Sequence, residues 1–172
     1  MKYMKPWPLF REAIKNSSDN GGKAKRLLGL DVGDKYVGLA ISDPSSTIAN
    51  PLRVLVKKSA TPNVLINHLQ NLVNELSVKG FVVGAPWLAS SHTPDAWVVK
   101  GFVEELCSSG NFDDIKFTYW EESFTSKNVE MMIEPLKLSP GTAKTIVDKF
   151  AAVGILQGYL DYVNKKVRME TD

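Results

Sequence analysis

The residue with the clearest potential for chemistry in this chain is Asp31, which ends an apolar run. Residues 27–30 precede it, Val32 and Gly33 follow, and a second apolar run begins at Tyr36. Short apolar runs bounded by turn residues predict strands that are covered on both faces. A carboxylate at that place is costly to desolvate unless a cationic side chain or a metal ion faces it. Asp31 is therefore a candidate metal ligand, with a plain turn acid before a glycine as the alternative.

A pair of acids, Glu121 and Glu122, directly follows another predicted strand at about 115–120. Functional groups collect beyond the carboxyl ends of parallel strands. Because side chains alternate along a strand, at most one member of the pair would face a site there. The residue pattern alone does not choose between them, and a pair of exposed turn acids is the alternative.

A third acid, Asp148, lies in a predicted helix at about 142–164 and shares a face with Ala152. An inward acid needs more compensation than the surface ion pair that Lys144 could offer, about 0.3–0.5 kcal/mol. Convergent carboxylates without neighbouring Cys or His favour hard cations, so the residues predict Mg²⁺ or Mn²⁺. Two such ions ~4 Å apart can activate water and stabilise the leaving oxygen of a phosphodiester.

The elements that must position these acids follow from the hydrophobic periodicity. Three strands predict an antiparallel meander, and helices then alternate with strands. The predicted elements are strands at 27–31, 36–42 and 52–56, a helix beginning at Thr61-Pro62, a strand at 81–84, a helix beginning at Thr93, a strand at 115–120, a short helix from Thr125 to Ile133, and the helix at 142–164. This order predicts an α/β fold, a mixed five-stranded sheet with three antiparallel strands, then parallel strands, flanked by helices.

Composition divides the 172 residues into one domain and two tails. Residues 1–26 hold seven basic residues against two acidic ones, a charge of +5, which leaves −3 for the rest of a chain whose net charge is +2. This segment lacks the apolar core of a secretory signal. We expect 1–26 to be a flexible basic extension, 27–164 the domain and 165–172 a C-terminal tail. No apolar run approaches the roughly 18 residues of a membrane span, and the single cysteine fits a reducing compartment.

Four motifs in the same order give the chain a family resemblance. Residues 28–33 and 38–43 resemble the opening of the YqgF/RuvX family, 82–86 its Val-Gly-Leu-Pro segment, 121–126 its Asp-Glu-Arg-Leu-Thr-Thr motif, and 147–160 its C-terminal helix. This RNase H-like family is described as Holliday-junction resolvases and as nucleases that mature pre-16S ribosomal RNA. The resemblance implies an RNase H-like fold and a catalytic, metal-binding triad of Asp31, Glu122 and Asp148. It selects Glu122 because that residue stands at the motif's Glu position.

The resemblance also implies a function. It points to a metal-dependent nuclease, with Mg²⁺ or Mn²⁺ and two ions, that matures the 5′ end of small-subunit ribosomal RNA. The expected partners are nucleic acid, first the rRNA precursor, and the ribosomal small-subunit precursor; no membrane is expected, and a homo-oligomer stays open. The alternatives are a Holliday-junction DNA resolvase and a non-catalytic RNA-binding module of ribosome assembly. We expect a cytoplasmic protein, with chloroplast or mitochondrion as the alternative given the basic N-terminal segment.

The chain departs from the family pattern at two arginines. Tyr36 and Ser123 stand where the family commonly has Arg, and this removes bidentate phosphate contacts. A domain with a charge of −3 also attracts nucleic acid only weakly. Phosphate affinity must then come from scattered residues, and the candidates are Lys35, Thr125, Lys127, Lys144 and Lys149.

Overall fold

The computed structural model describes residues 1–15, 23–57, 61–86, 93–121, 130 and 133–171. The strands are β1 (Lys2–Tyr3), β2 (Arg26–Val32), β3 (Tyr36–Ser42), β4 (Ala49–Val56), β5 (Val78–Ala85) and β6 (Lys116–Glu121). The helices are α1 (Pro6–Phe10), α2 (Pro62–Glu75), α3 (Pro94–Ser108) and α4 (Pro140–Thr171). A π-helical turn continues α1, and a 3₁₀ turn precedes α4.

The strands form one mixed sheet in the order β1-β6-β5-β2-β3-β4. β2, β3 and β4 form an antiparallel meander, whereas β5 pairs parallel to β2, and β6 parallel to β5. The predicted α/β fold, with three antiparallel strands followed by parallel ones, is therefore confirmed. The predicted count of five strands was one too low. The added strand β1 has two residues, which is too short for a periodicity signal.

Helices cover both faces of the sheet because alternate strand residues point to opposite sides. Leu28 and Leu30 of β2 belong to the core under α2 and α3. Leu27, two positions before Gly29 in the same strand, belongs to the core under α4. Residues 27, 29 and 31 therefore share the α4 face. Asp31 lies on this face, where β2 emerges from the core.

Glycines let α4 approach the sheet closely. A Cβ at Gly29 would lie 2.7 Å from the Cβ of Leu156 and 3.1 Å from the carbonyl oxygen of Ala152. A Cβ at Gly84 would lie 2.5 Å from the Cδ1 of Ile155. Carbon atoms pack at about 3.5–4.0 Å, so side chains at these two positions would push the helix away. The helix is thus set against β2 and β5 by the absence of two side chains.

The N-terminal segment is part of the domain, which corrects our expectation of a flexible extension for residues 1–15. β1 pairs parallel to β6 and closes that edge of the sheet. Leu9 is fully buried and Phe10 nearly so, within the core under α4. The hydroxyl of Tyr159 in α4 donates a 2.8 Å hydrogen bond to the carbonyl of Pro6. The basic charge count obscured these apolar residues, whose burial supplies the free energy that orders the segment.

The C-terminal boundary also differs from the prediction. Residues 165–171, expected as a tail, continue α4 to Thr171, because Val163 is buried against the sheet and Val167 is partly buried beyond it. The predicted short helix at 125–133 lies almost entirely outside the described residues. In the part of the chain that the structure describes, no helix is both long and apolar enough to cross a bilayer.

Hydrogen bonds to Asp43 hold the β3–β4 loop, which lies at the end of the sheet away from Asp31. The Asp43 carboxylate accepts backbone hydrogen bonds from Thr47 at 2.7 Å and Ile48 at 2.8 Å, and a further one from the Ser45 hydroxyl. Burial raises the pKa of Asp43, but these hydrogen bonds outweigh it and lower the pKa to about 2. The side-chain amide of Gln157 in α4 accepts a hydrogen bond from the Ala49 amide and donates one to the Thr47 carbonyl, where the loop enters β4.

Candidate functional site

Asp31 is half-buried near the carboxyl end of the central strand β2, opposite Gly38 of β3. A pocket of about 290 Å³ opens beside it. The residues that line this pocket, called the Asp31 pocket below, are Asp31, Gly33, Asp34, Lys35, Tyr36 and Lys144. The first five come from β2, β3 and the turn between them, and the last comes from the first turns of α4. The sequence-predicted carboxylate therefore lies in a concave site that contains basic residues.

The β2–β3 turn shapes one wall of the Asp31 pocket. The amide of Gly33 donates a 2.9 Å hydrogen bond to the carbonyl of Tyr36, and this closes a tight turn. Asp34 and Lys35, the two residues inside the turn, are exposed. The sequence analysis did not single out Asp34. Its signal was its place three residues after Asp31 in a turn short enough to bring both carboxylates to one pocket.

The predicted phosphate-binding residues divide into two groups. The structure brings Lys35 and Lys144 to the Asp31 pocket. Lys149 is half-buried in α4 and is not among the described residues that line that pocket. Thr125 and Lys127 lie outside the described residues. Two of the five residues thus lie at the pocket, and phosphate binding by all five stays a prediction.

The remaining two predicted acids are described only in part or not at all. The backbone of Asp148 belongs to α4, but its side chain lies outside what the structure describes. Glu122, directly after the last residue of β6, lies outside the described residues. Ser123, where the family has an arginine, lies outside them too. The three-acid site therefore stays a prediction.

The strand register shows which strand ends lie at the Asp31 end of the sheet. Leu30 of β2 is level with Val83 of β5, and Ala85 of β5 is level with Glu121 of β6. Because these three strands are parallel, the carboxyl ends of β5 and β6 lie at the same end of the sheet as Asp31. Trp120 packs against Tyr159 of α4, with ring centroids 5.6 Å apart, so it lies on the α4 face. Glu121 is exposed and follows it on the opposite face.

The donor chemistry of the Asp31 pocket fits a hard divalent cation. Its acidic residues are Asp31 and Asp34, and among its described lining residues there is neither a thiol nor an imidazole. Carboxylate oxygens are the ligands that Mg²⁺ and Mn²⁺ prefer. Within the described ranges, no three acidic, histidine or cysteine side chains group as a complete metal site would require. A full ligand set therefore needs a contribution from outside these ranges or from Asp148.

Fold and site together define a class of protein. A mixed sheet, in which three parallel strands extend an antiparallel meander of three, carries an acid on its central strand, in a pocket with two lysines. This arrangement fits enzymes that bring a metal ion to a phosphodiester.

The family is shown by sequence comparison. The sequence model of the RuvX family, described as "Holliday junction resolvase", matches residues 25–162. The chain belongs to this family. The predicted family is confirmed, and with it the predicted class of enzyme, a nuclease that hydrolyses phosphodiester bonds.

Individual relatives agree with the family assignment. A protein of Caldanaerobacter subterraneus subsp. tengcongensis named "Putative pre-16S rRNA nuclease" is 40% identical over 138 residues, which cover 79% of this chain and 96% of the relative. A protein of the same name from Ruminiclostridium cellulolyticum is 34% identical over 144 residues, covering 82% and 99%. Among solved structures, RuvC of Thermus thermophilus aligns with a TM-score of 0.48 at 10% identity, over 81% of this chain and 96% of that chain.

Proposed function

We propose that this protein is a metal-dependent nuclease that matures the 5′ end of pre-16S-type ribosomal RNA. The observation that carries the proposal is Asp31, a half-buried carboxylate at the end of the central strand, in a pocket with Lys35 and Lys144. The substrate class is supported by the relatives, which match over 96–99% of their own length and bear that name. Their bacterial origin supports a cytoplasmic site of action, with the ribosomal small-subunit precursor as partner.

The register supports Glu122 as the second acid. Trp120 lies on the α4 face, and side chains alternate along a strand. Residues two positions apart in a strand share a face, so this alternation favours Glu122, and not Glu121, as the acid for the side of Asp31. Glu121 has the opposite orientation and is exposed. One strand, β5, separates β2 from β6, and adjacent strands lie about 4.8 Å apart. Two carboxylates reaching inward across that gap could hold metal between them.

The helix geometry supports Asp148 as the third acid. It lies one helical turn after Lys144 and one turn before Ala152, and residues four apart share a helix face. Lys144 lines the Asp31 pocket. The carbonyl of Ala152 lies 3.1 Å from where a Cβ at Gly29 would be. Asp148 therefore falls between two residues that face β2, which is the placement a ligand from α4 would need.

We assign the metal as Mg²⁺ or Mn²⁺, with two ions, held by Asp31, Glu122 and Asp148. When bound, such ions supply a water of lowered pKa and charge stabilisation at the leaving 3′ oxygen. The protein's own part is to hold the phosphate. Lys35 and Lys144 flank Asp31 and balance the negative charge of the phosphodiester. They take over the role of the family's two arginines, because this chain has Tyr36 and Ser123 at those positions. A lysine does this as a point charge and not as a bidentate fork.

A DNA junction is the second candidate substrate, because the matching family model carries the description of a Holliday junction resolvase. Both substrates present phosphodiesters to the same pocket, and the described residues do not distinguish the two sugars. A non-catalytic RNA-binding module is a third candidate. The retained acid in the Asp31 pocket argues against it, since a carboxylate repels phosphate unless a cation lies between them.

The test compares the wild-type protein with Asp31→Asn on a pre-16S rRNA fragment and on a four-way DNA junction. Reactions contain Mg²⁺ or Mn²⁺, with a chelator arm for each substrate. Asp114→Asn is the matched control, because Asp114 is exposed in the turn before β6, at the end of the sheet away from Asp31. We expect Asp31→Asn to lose about 10²–10³-fold in cleavage rate and the control to lose nothing. Equal cleavage by wild type and Asp31→Asn would reject the enzyme proposal, and cleavage of the junction alone would reject the RNA substrate.

A further inference from the structure

Lys57, the residue after β4, touches the turn that carries the Asp31 pocket. β4 runs antiparallel to β3, and Val56 is level with Tyr36, so Lys57 lies beside the β2–β3 turn. Its backbone amide donates a 2.8 Å hydrogen bond to the carbonyl of Lys35. Its ammonium donates a 3.0 Å hydrogen bond to the carbonyl of Gly33. One residue thus binds two carbonyls of the same short turn.

The ammonium of Lys57 also reaches α3. It lies 5.4 Å from the ring centroid of Phe102, a buried residue of the core under α2 and α3. Cation–π contacts of this geometry are attractive by about 0.5–1 kcal/mol at exposed sites and by more when desolvated. Burial lowers the pKa of Lys57, whereas the carboxylates of Asp34 and Glu105 raise it. The side chain therefore bridges the turn to α3, with acids from both.

The carbonyls that Lys57 binds belong to the turn beside the Asp31 pocket, but its contact with Phe102 lies on the opposite face of the sheet. Leu55, near the end of β4, is in the core under α2 and α3, as is Phe102. Asp31 is on the α4 face, and Lys57 is not among the residues that line its pocket. A lysine that contacted substrate phosphate would need to be on the pocket side. The geometry instead fits a lysine that holds the turn from the α3 side of the sheet.

We propose that Lys57 is a positioning residue, which holds the β2–β3 turn and so the carboxylate of Asp31 in place for the reaction. Gly33, Asp34 and Lys35 are all exposed, so in the part of the chain that the structure describes, the turn hydrogen bond and the two bonds from Lys57 are their main restraints. Gly33 is two residues from Asp31 in the chain. Movement of the turn would reach the carboxylate through one intervening residue, Val32. The kinetic consequence rests on the proposed function, and the restraint of the turn does not.

The test compares Lys57→Met, which keeps the apolar stem and loses the donor, with Lys57→Arg, which keeps a donor. Lys79→Met is the matched control, since Lys79 is exposed near the start of β5, at the end of the sheet away from the β2–β3 turn. The first readout is hydrogen exchange of the amides at 33–36 in the full-length protein. We expect faster exchange in Lys57→Met, with Lys57→Arg and the control like wild type. Unchanged exchange in Lys57→Met would overturn the proposal, whether or not the preparation cleaves any substrate.

The second readout is the division between kcat and KM on the substrate that wild type cleaves. We expect Lys57→Met to lower kcat by about ten-fold with KM unchanged, since misplacement by 1 Å can cost up to about 10²-fold. Lys57→Arg should recover most of the rate. A phosphate contact would instead raise KM and reduce the salt dependence of binding by about one charge, and that result would overturn the positioning role. Equal kcat in Lys57→Met and wild type would overturn it as well.

Discussion

Replacing Gly29 with alanine would test the packing that brings α4 to the strand of Asp31. The new Cβ would lie 2.7 Å from the Cβ of Leu156 and 3.1 Å from the backbone carbonyl of Ala152. Neither atom can rotate away, because one is the first side-chain atom and the other is backbone. Carbon atoms pack at about 3.5–4.0 Å, so α4 must move from β2 by roughly 1 Å. The helix carries Lys144 and Asp148, and both would move with it.

Two effects of known size follow. Overpacking of this kind destabilises a protein by about 1–3 kcal/mol, less about 0.5–1 kcal/mol that alanine recovers by restricting the unfolded chain relative to glycine. Displacement of a site residue by ~1 Å can lower the rate by up to about 10²-fold. We therefore expect Gly29→Ala to unfold at lower urea and, when fully folded, to cleave about 10–10²-fold more slowly than wild type.

The assay measures urea denaturation and single-turnover cleavage of each variant at a temperature where all are folded. The matched control is Gly101→Ala in α3, because a Cβ there would meet nothing within 4 Å. This control should be stabilised by about 0.5–1 kcal/mol, since glycine is unfavourable inside a helix, and should cleave like wild type. If Gly29→Ala had wild-type stability and rate, the close approach of α4 to β2 could not be what sets the site.

Three further predictions concern the frame around the site. Leu9→Ala should destabilise the protein by about 2–5 kcal/mol in urea denaturation, because Leu9 is fully buried; unchanged stability would restore the view of a solvated extension. Tyr159→Phe should cost about 1 kcal/mol by removing the hydrogen bond to Pro6, and an equal loss in a variant that lacks residues 1–15 would contradict this assignment. Asp43→Asn should destabilise the protein above pH 4, because hydrogen bonds outweigh burial and lower the pKa of Asp43 in the wild type to about 2. The wild type should lose this advantage over Asp43→Asn as the pH falls towards 2. Parallel stability curves for the two proteins from pH 5 to 2 would refute this prediction.

The N-terminal segment has a wider consequence for the site. β1 pairs with β6, and Tyr159 of α4 bonds to Pro6. The segment thus braces β6, which ends one residue before Glu122 in the sequence, and α4, which includes Asp148. The family match begins only at residue 25, so this brace lies outside the region that defines the family.

The sequence by itself determined the kinds of elements and the class of protein. The meander, the alternation of helices and strands, and Asp31 at a strand end all follow from periodicity and burial cost, which act over a few neighbouring residues. The order of four motifs identified the family, which the comparison confirmed. Each of these features depends on residues that are close together in the sequence, so the sequence pattern is enough to predict it.

Only the tertiary structure decided which distant residues support the site. Residues 1–15 read as a charged tail, yet Pro6 bonds to Tyr159 across a separation of 153 residues. The sequence pattern does not mark Lys57, and its bonds to the β2–β3 turn arise only because β4 pairs with β3. The sequence pattern does not show why position 29 must lack a Cβ, because the atoms that exclude it belong to a helix more than 120 residues later in the chain. Such contacts depend on how elements are arranged in space, and no neighbouring residue carries a signal for them.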